Sequence, residues 1–517
     1  METRSGKRRK FSINECDEEE NSVVPIDRIS DLSDAVLHHI LSLLPIKSIA
    51  QTSVLSKRFR SIWSTFPDLD FTTITHIGSI SSSPKSIRRN RKKCYPFSSI
   101  DFINKVLSLR HKESDIRALR FRARLSFSHL NSLFRRSIRQ NVQELHAEVA
   151  NDGYFNLPRC VVTSQSLRAL KLRSRYPGLR LPPLSVVTSG FKFLHTLSLS
   201  FVLLSNQSSV LDLFTESSFQ NLKKLYLNTC IRLKNLKIGC RNLEDVTVEN
   251  CSGLDGLEIC GGKLERLIVS SCFDMYSDKS WVKIDAPRLK SILWEYNAIT
   301  GTSCLEKLRA LEEASIGRFA LQEEKDVSVE KLQSVSNFVS ALSHARSLTL
   351  QRQCVEILSN KNYWAHLLHP FNSLKYLKLH TGFNKHNIPA IAWLFRSSPT
   401  LHILILMITT ETKSGRRQWN RDMWDMSVSE DELYWESQTC NLKPFLENLR
   451  VVRIHGFLEY ENEVCLAKFL LKHGKALQEM TLCPEKCNSR DSLRRQKVRS
   501  QMMGFSWASS NAKFAFQ

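Results

Sequence analysis

Fourteen cysteines and fifteen histidines are the side chains with which this chain could ligate a metal or attack a substrate, and their spacing argues against both. No two cysteines form a Cys-x-x-Cys pair, and Cys483 and Cys487 stand four apart with no second pair to complete a tetrahedral zinc site. His38 and His39 are consecutive within a predicted helix, so their rings point in different directions and cannot share an ion. A glycine-rich phosphate loop, a Gly-x-Ser-x-Gly elbow and a His-Glu-x-x-His helix are all missing. The sequence therefore offers no catalytic, cofactor-binding or metal-binding residue, and the chain reads as a non-enzyme that needs no cofactor.

The cysteines follow a different rule. Cys230, Cys251 and Cys272 close three copies of apolar-x-x-apolar-x-apolar-x-x-Cys, whose leading residues Leu222, Leu243 and Leu264 step by the same 21 residues. A short strand in each copy puts alternate side chains inward (Leu225 and Leu227, Val246 and Val248, Leu267 and Val269), and each coil leaves its apolar flank open until the next coil stacks on it. This period, closing on Cys or Asn, resembles that of leucine-rich repeats. Half-coil echoes at Leu233-Leu236-Ile238 and Leu254-Leu257-Ile259 predict a second strand on the far side of each turn, hence a flattened solenoid with few long helices.

The same core recurs at looser spacing on either side. It is found at Ile116-Leu119-Phe121, Val142-Leu145-Ala147, Leu167-Leu170-Leu172 and Leu194-Leu197-Leu199. After the regular block it returns at Leu289-Ile292-Trp294, Leu311-Ala314-Ile316, Ala345-Leu348-Leu350, Leu374-Leu377-Leu379 and Leu401-Leu404-Leu406. The longer units leave room for helices such as 102–109. Insertions in such an array map to loops where recognition varies.

Composition bounds the rest. A hydrophobic content of 42% can bury a core, and the longest apolar run, Leu401 to Ile408, falls far short of the roughly 20 residues that span a bilayer. The charged start METRSGKRRKFSINECDEEE lacks an apolar stretch, so no secretory signal is expected, and the cysteines are expected to be reduced, in the cytoplasm and/or nucleus. A net charge of +23 favours anionic partners. Basic runs at Lys7 to Lys10 and Arg88 to Lys93 invite a nuclear or nucleic-acid reading, but no base-reading motif accompanies them.

Ahead of the array, residues 26–70 carry Val36, Leu37, Ile40, Leu41 and Leu44 at helical spacing, a stop at Pro45, and two further short helices bearing Ile49, Val54, Phe59 and Trp63. Three short helices bury little alone, so this module is expected to complete itself against a partner. The strings LSDAVLHHILSLLP and TSVLSKRFRSIW resemble the F-box of the large plant F-box/leucine-rich-repeat family, and LSHARSLTLQ and FNSLKYLKLH resemble that family's later repeats. Where the family usually has Pro, this chain has Ser33, itself a competent helix cap.

The resemblance implies docking onto a Skp-type adaptor, and through it a cullin ubiquitin ligase. Its adaptor-facing set would be Leu32, Leu37, Ile40, Leu41, Leu44, Pro45, Ile49, Val54, Leu55 and Trp63. Toward the other end, strand signals Leu449-Val452-Ile454 and Leu477-Met480-Leu482 flank a helical stripe from Glu461 to His473 that Gly474 closes, a pattern similar to the FBD domain of that family.

The expected organisation is α/β: a disordered tail (1–25), a three-helix F-box (26–70), a Ser-rich and basic linker (71–99), a solenoid (100–408), an insertion rich in Trp and charge (409–440), an FBD-like cap (441–483) and a basic, frayed tail (484–517). Trp419, Trp424 and Trp435 in the insertion are candidates for an exposed binding patch or for a loop folded back on the array. The implied function is substrate recruitment for a Skp–cullin–F-box ligase, the repeats binding a protein target. The alternative is a basic nuclear scaffold for nucleic acid or acidic partners.

Overall fold

The structure is a computed structural model that describes residues 29, 31–73, 100–124, 126–150, 155–175, 179–182, 184–188, 190–204, 211–274, 279–306, 308–317, 329–359, 370–383, 387–408, 430–457, 461–484 and 492–516. The tail at 1–25, most of the 71–99 linker, both basic runs, Trp419, Trp424 and Cys487 lie outside these residues. Chain contacts divide it into two units, 1–66 and 67–517.

The first unit holds three helices: α1 (Asp34–Ser42), α2 (Ile46–Thr52) and α3 (Lys57–Thr65). Ser33 stands at the N-cap of α1 with an extended backbone, but its hydroxyl makes no capping bond, contrary to the expectation that it would. Asp34 in the first turn pairs instead with Arg58 of α3 at 2.7 Å, and the Arg58 guanidinium also donates to the Leu32 carbonyl. Pro45, with φ fixed at −60°, opens α2, its carbonyl accepting the Ile49 amide at 3.1 Å. Ser56 caps α3 by accepting the Phe59 amide at 3.1 Å.

The second unit is a stack of coils whose strands form one parallel sheet of 16, in chain order from Asp68–Asp70 to Lys513–Phe516. Every apolar-x-x-apolar-x-apolar segment becomes a rung. Leu197, Leu225, Val246, Leu267 and Ile292 are in register across five neighbouring strands, and all are buried. Each fully buried aliphatic side chain contributes about 1.5–3 kcal/mol, and the register keeps successive rungs in one continuous row. The half-coil echoes form the far side as expected: Asn235–Gly239 and Gly256–Cys260 lie within a second parallel sheet of five strands that also takes in Leu211–Thr215, Trp281–Asp285 and Thr302–Glu306. In the longer units helices take that place, such as Ile100–Leu109, Phe127–Arg139 and Val329–Ala341.

After each regular rung the chain turns a corner with positive φ, at Phe201, Thr229, Asn250, Ser271 and Tyr296. The strain is compensated by repeated amide bonds to the next coil, from Thr229 to the Glu249 carbonyl at 2.9 Å and from Asn250 to the Ser270 carbonyl at 2.9 Å. The repeat cysteines sit just inside this corner: the Cys230 amide donates to Cys251 Sγ at 3.4 Å, and the Cys272 amide donates to Asn297 Oδ1 at 2.9 Å.

The structure differs from the sequence reading at the start of the linker and at the 441–483 segment. The compact helical unit closes at Phe66, and Asp68–Asp70 pairs with Ala118–Arg124 as a rung of the sheet. Phe71, assigned to the linker, is fully buried and its amide donates to the Arg120 carbonyl at 2.8 Å. The 441–483 segment is not the end of the array: it adds two ordinary rungs, and the tail supplies a helix, Ser492–Met503, and a further strand, Lys513–Phe516, that pairs with Glu479–Pro484. An uncovered edge would leave a row of unpaired amides and carbonyls, which that strand satisfies. Trp435 is no surface anchor. It is fully buried in the helix Glu430–Ser437, its ring 6.2 Å from Phe395 and 5.7 Å from Phe469.

Candidate functional site

The three-helix unit closes a small core around Leu37, Leu41, Ile49, Ile62 and Phe66, with Leu32, Phe59 and Trp63 half-buried against it. Helical spacing explains the set: Leu37 and Leu41 are one turn apart on α1 and point the same way. Three residues expected to face an adaptor are therefore turned inward, at 2%, 3% and 3% exposure for Leu37, Leu41 and Ile49. Their apolar character is used up by the module itself, since three helices this short need every inward position to hold together. Leu32 and Trp63 sit at the margin of that core.

The other expected residues remain outside. Ile40, Leu44, Pro45, Val54 and Leu55 are exposed, joined by Val36, Leu43 and Ile29, which the sequence reading left out of the adaptor set. Leu43 at 75%, Val54 at 81% and Leu55 at 72% face water almost as they would in an unfolded chain. Of the fifteen large apolar side chains exposed among the described residues, seven belong to this short unit. They come from both ends of the helices: Val36, Ile40, Leu43 and Leu44 from α1 and its end, Val54 and Leu55 from the turn between α2 and α3. The turn is held by the Thr52 and Ser53 hydroxyls, which donate to the Ile49 and Ala50 carbonyls at 2.7 and 2.6 Å. Exposed Lys47, Lys57 and Arg60 lie among them in the sequence. A completed core carrying surplus apolar side chains has the composition of a protein-docking surface.

The second unit offers the solvent-facing side of its sheet. Its early rungs are basic: Arg120, His146 and Lys171 lie side by side in register, followed on the next row by Arg122, Glu148 and Arg173. Glu148 is held below the usual carboxylate range: burial opposes its ionisation, but hydrogen bonds from Arg175 at 3.1 Å and Arg122 at 2.7 Å outweigh it. His146 is pushed down to about 4, first by burial and then by the charges of Lys171 and Arg120. The middle rungs carry carboxylates, among them Glu244, Asp245, Glu249, Glu295 and Glu313.

Most of the titrating buried cysteine thiols are held protonated; Cys251 is the exception, lowered by hydrogen bonds with Cys230 and Cys272, but it is fully buried within the stack. Burial raises Cys354 and Cys240 to about 12, and holds Cys272 well above its ordinary value together with the Cys251 hydrogen bond. Among the described residues no group of three or more His, Cys, Asp or Glu could hold a metal ion, and no helix is long and apolar enough to cross a membrane. A cavity bounded by Trp294, Phe338 and the hydroxyls of Thr300, Ser303 and Ser334 has a volume of about 10 Å³, room for one water rather than a ligand.

Comparison with known proteins gives these surfaces a context. The F-box domain family matches residues 29–70, and the At1g61320/AtMIF1 LRR domain family matches 106–275 and 242–511. A putative F-box/FBD/LRR-repeat protein of Arabidopsis thaliana is 48% identical over 521 residues, covering 100% of both chains. A putative F-box/LRR-repeat protein of the same plant is 24% identical over 89% of this chain and 87% of its own. An F-box/FBD/LRR-repeat protein, also from Arabidopsis thaliana, is 25% identical over 95% and 97%.

Proposed function

This chain belongs to the plant F-box/FBD/LRR-repeat family, and from that premise we propose that it is the substrate-recruiting subunit of a Skp–cullin–F-box ubiquitin ligase. F-box domains generally bind Skp1-type adaptors, and proteins of this architecture are typically non-catalytic. In this reading α1 to α3 are the handle, the sheet of the second unit holds a protein target, and bond formation belongs to the ubiquitin-transferring partners. The chain contributes proximity, converting an encounter between target and charged ubiquitin carrier into a step within one assembly. It works in the cytoplasm, the nucleus or both.

The observation that carries the reading is the surplus of apolar side chains outside a core that is already complete. Leu44, Val54 and Leu55 contribute little to the fold and much to a partner. In an adaptor pull-down, Leu44→Asp with Leu55→Asp is expected to abolish binding while circular dichroism and the melting temperature stay at wild-type values. Leu41→Asp is expected to fail differently, by unfolding the module, because it places a charge in the core. Wild-type adaptor binding by the Leu44/Leu55 variant removes the docking surface, and with it the ligase reading. Steeply salt-dependent DNA binding without adaptor binding would favour the nucleic-acid scaffold instead.

A further inference from the structure

One strand of the large sheet is apolar at every outward position, where strands such as Arg266–Ser270 and Ser291–Glu295 carry a single outward aliphatic residue, Ile268 or Leu293. In Ile403–Ile408 the inward residues Leu404, Leu406 and Ile408 are buried as usual, but the solvent-facing residues Ile403, Ile405 and Met407 are apolar as well. A strand with one face in water alternates apolar with polar residues, and a strand apolar on both faces is normally covered on both. These three side chains remain partly accessible.

Their neighbours give this face, uncovered among the described residues, a sign. Parallel register places Ile405 between Lys378 and Arg453, and Met407 between His380 and His455. Arg453 is paired with Glu479 at 3.2 Å, whereas Lys378 has no carboxylate partner among the described residues. The four consecutive rungs 345–350, 374–381, 401–408 and 449–457 contain no Asp or Glu at all, while Arg346, Lys375 and Arg450 stand at their entries. Rungs 243–249 and 311–317, by contrast, hold Glu244, Asp245, Glu249, Glu312 and Glu313. Carboxylates thus concentrate in the middle rungs, and the late rungs lack them as the early rungs 167–172, 194–199 and 222–228 also do.

We propose that this apolar column with its cationic flanks is the seat of the recruited protein, and that it takes an acidic segment which lays aliphatic or aromatic side chains over Ile403, Ile405 and Met407 while its carboxylates meet Lys378 and Arg453. The proposal rests on the reading that the repeats hold the target, and it assigns both the place and the chemistry. Apolar contact supplies the affinity, and the surrounding charge selects against basic partners and accelerates encounter with acidic ones.

The test uses the full chain in complex with its adaptor and three labelled synthetic peptides of equal length: alternating Leu-Glu, alternating Ser-Glu and alternating Leu-Lys. In fluorescence anisotropy the Leu-Glu peptide is expected to bind at least about tenfold more tightly than either of the others. Ile405→Ser and Lys378→Glu are each expected to cost about tenfold, and Arg266→Ser, solvent-facing on an earlier strand, nothing. Lys378→Glu removes no core packing and decides the matter should Ile405→Ser fail to fold. Equal binding of the three peptides, or wild-type affinity in both variants, overturns the proposal. So does displacement of the Leu-Glu peptide by oligo(dT), or a wild-type dimer that Ile405→Ser makes monomeric, since nucleic acid or a second copy would then own the face. Adaptor co-purification is scored separately: adaptor retained with no peptide preference overturns this surface alone, and adaptor lost with the preference intact overturns the ligase reading alone.

Discussion

Asn297 accepts the buried Cys272 amide at 2.9 Å through its side-chain oxygen and donates to the Val269 carbonyl at 3.0 Å through its side-chain nitrogen. It continues a ladder that Cys230, Cys251 and Cys272 begin, one polar side chain per coil bonding the backbone of the coil before it. The Cys251 thiol likewise accepts the Cys230 amide at 3.4 Å and donates to the Leu227 carbonyl at 3.9 Å, but the Asn297 amide makes its two bonds at shorter range.

Replacing Asn297 with Leu is expected to leave that amide and that carbonyl buried without partners, destabilising the array by about 2–4 kcal/mol. Asn297→Cys, which keeps a weak acceptor in the ladder, is expected to lose less. Thermal unfolding ranks the variants, and hydrogen exchange at residues 269–273 locates the loss.

Gly456 sits at a bulge between Val451–Phe457 and Glu479–Pro484 with φ at +72°, and a Cβ there would lie 2.3 Å from the Ile408 carbonyl oxygen. Both the backbone conformation and the space demand glycine. Gly456→Ala is expected to lower stability by more than about 1 kcal/mol, whereas at a compatible site the same change would stabilise. A rise in melting temperature would show that the bulge is not needed.

His146 lies between Arg120 and Lys171 on neighbouring strands, and burial with those two charges brings it from 6.5 to about 4. The unfolded imidazole takes a proton first, so this term stabilises the fold fully above the unfolded value of 6.5 and is lost as pH falls toward 4. The ring is half exposed and partly screened, which limits the effect to on the order of 1 kcal/mol. His146→Gln is expected to flatten the decline in melting temperature between pH 6.5 and pH 4; an unchanged slope would assign that decline to carboxylates such as Glu148.

The rungs were legible because a stacked coil writes its period into the chain: Leu222, Leu225 and Leu227 recur with little else to interpret. The first and last strands were not. Asp68–Asp70 has one apolar residue, Leu69, and Lys513–Phe516 stands alone beyond a basic stretch, so neither shows a period; pairing with a neighbour makes them strands. In the F-box the helices followed from their spacing, but which apolar residues face outward did not. Leu37 and Leu44 are equally apolar, and only the packing of α3 across α1 buries the one and leaves the other in water. Trp435 is open in the sequence for the same reason: its charged neighbours allow either an exposed patch or a fold-back on the array, and only packing against Phe395 and Phe469 places it inside.

The in-register stacking of the rungs has a consequence for how such proteins diverge. The inward residues answer to the coils above and below them and tolerate only similar shapes, whereas each outward position answers to water until a partner arrives. Affinity for a new partner can therefore drift one rung at a time, with the scaffold unaltered, much as type is reset in a fixed frame. Relatives sharing about a quarter of their residues over nearly the whole chain are what such a division of constraint would leave behind.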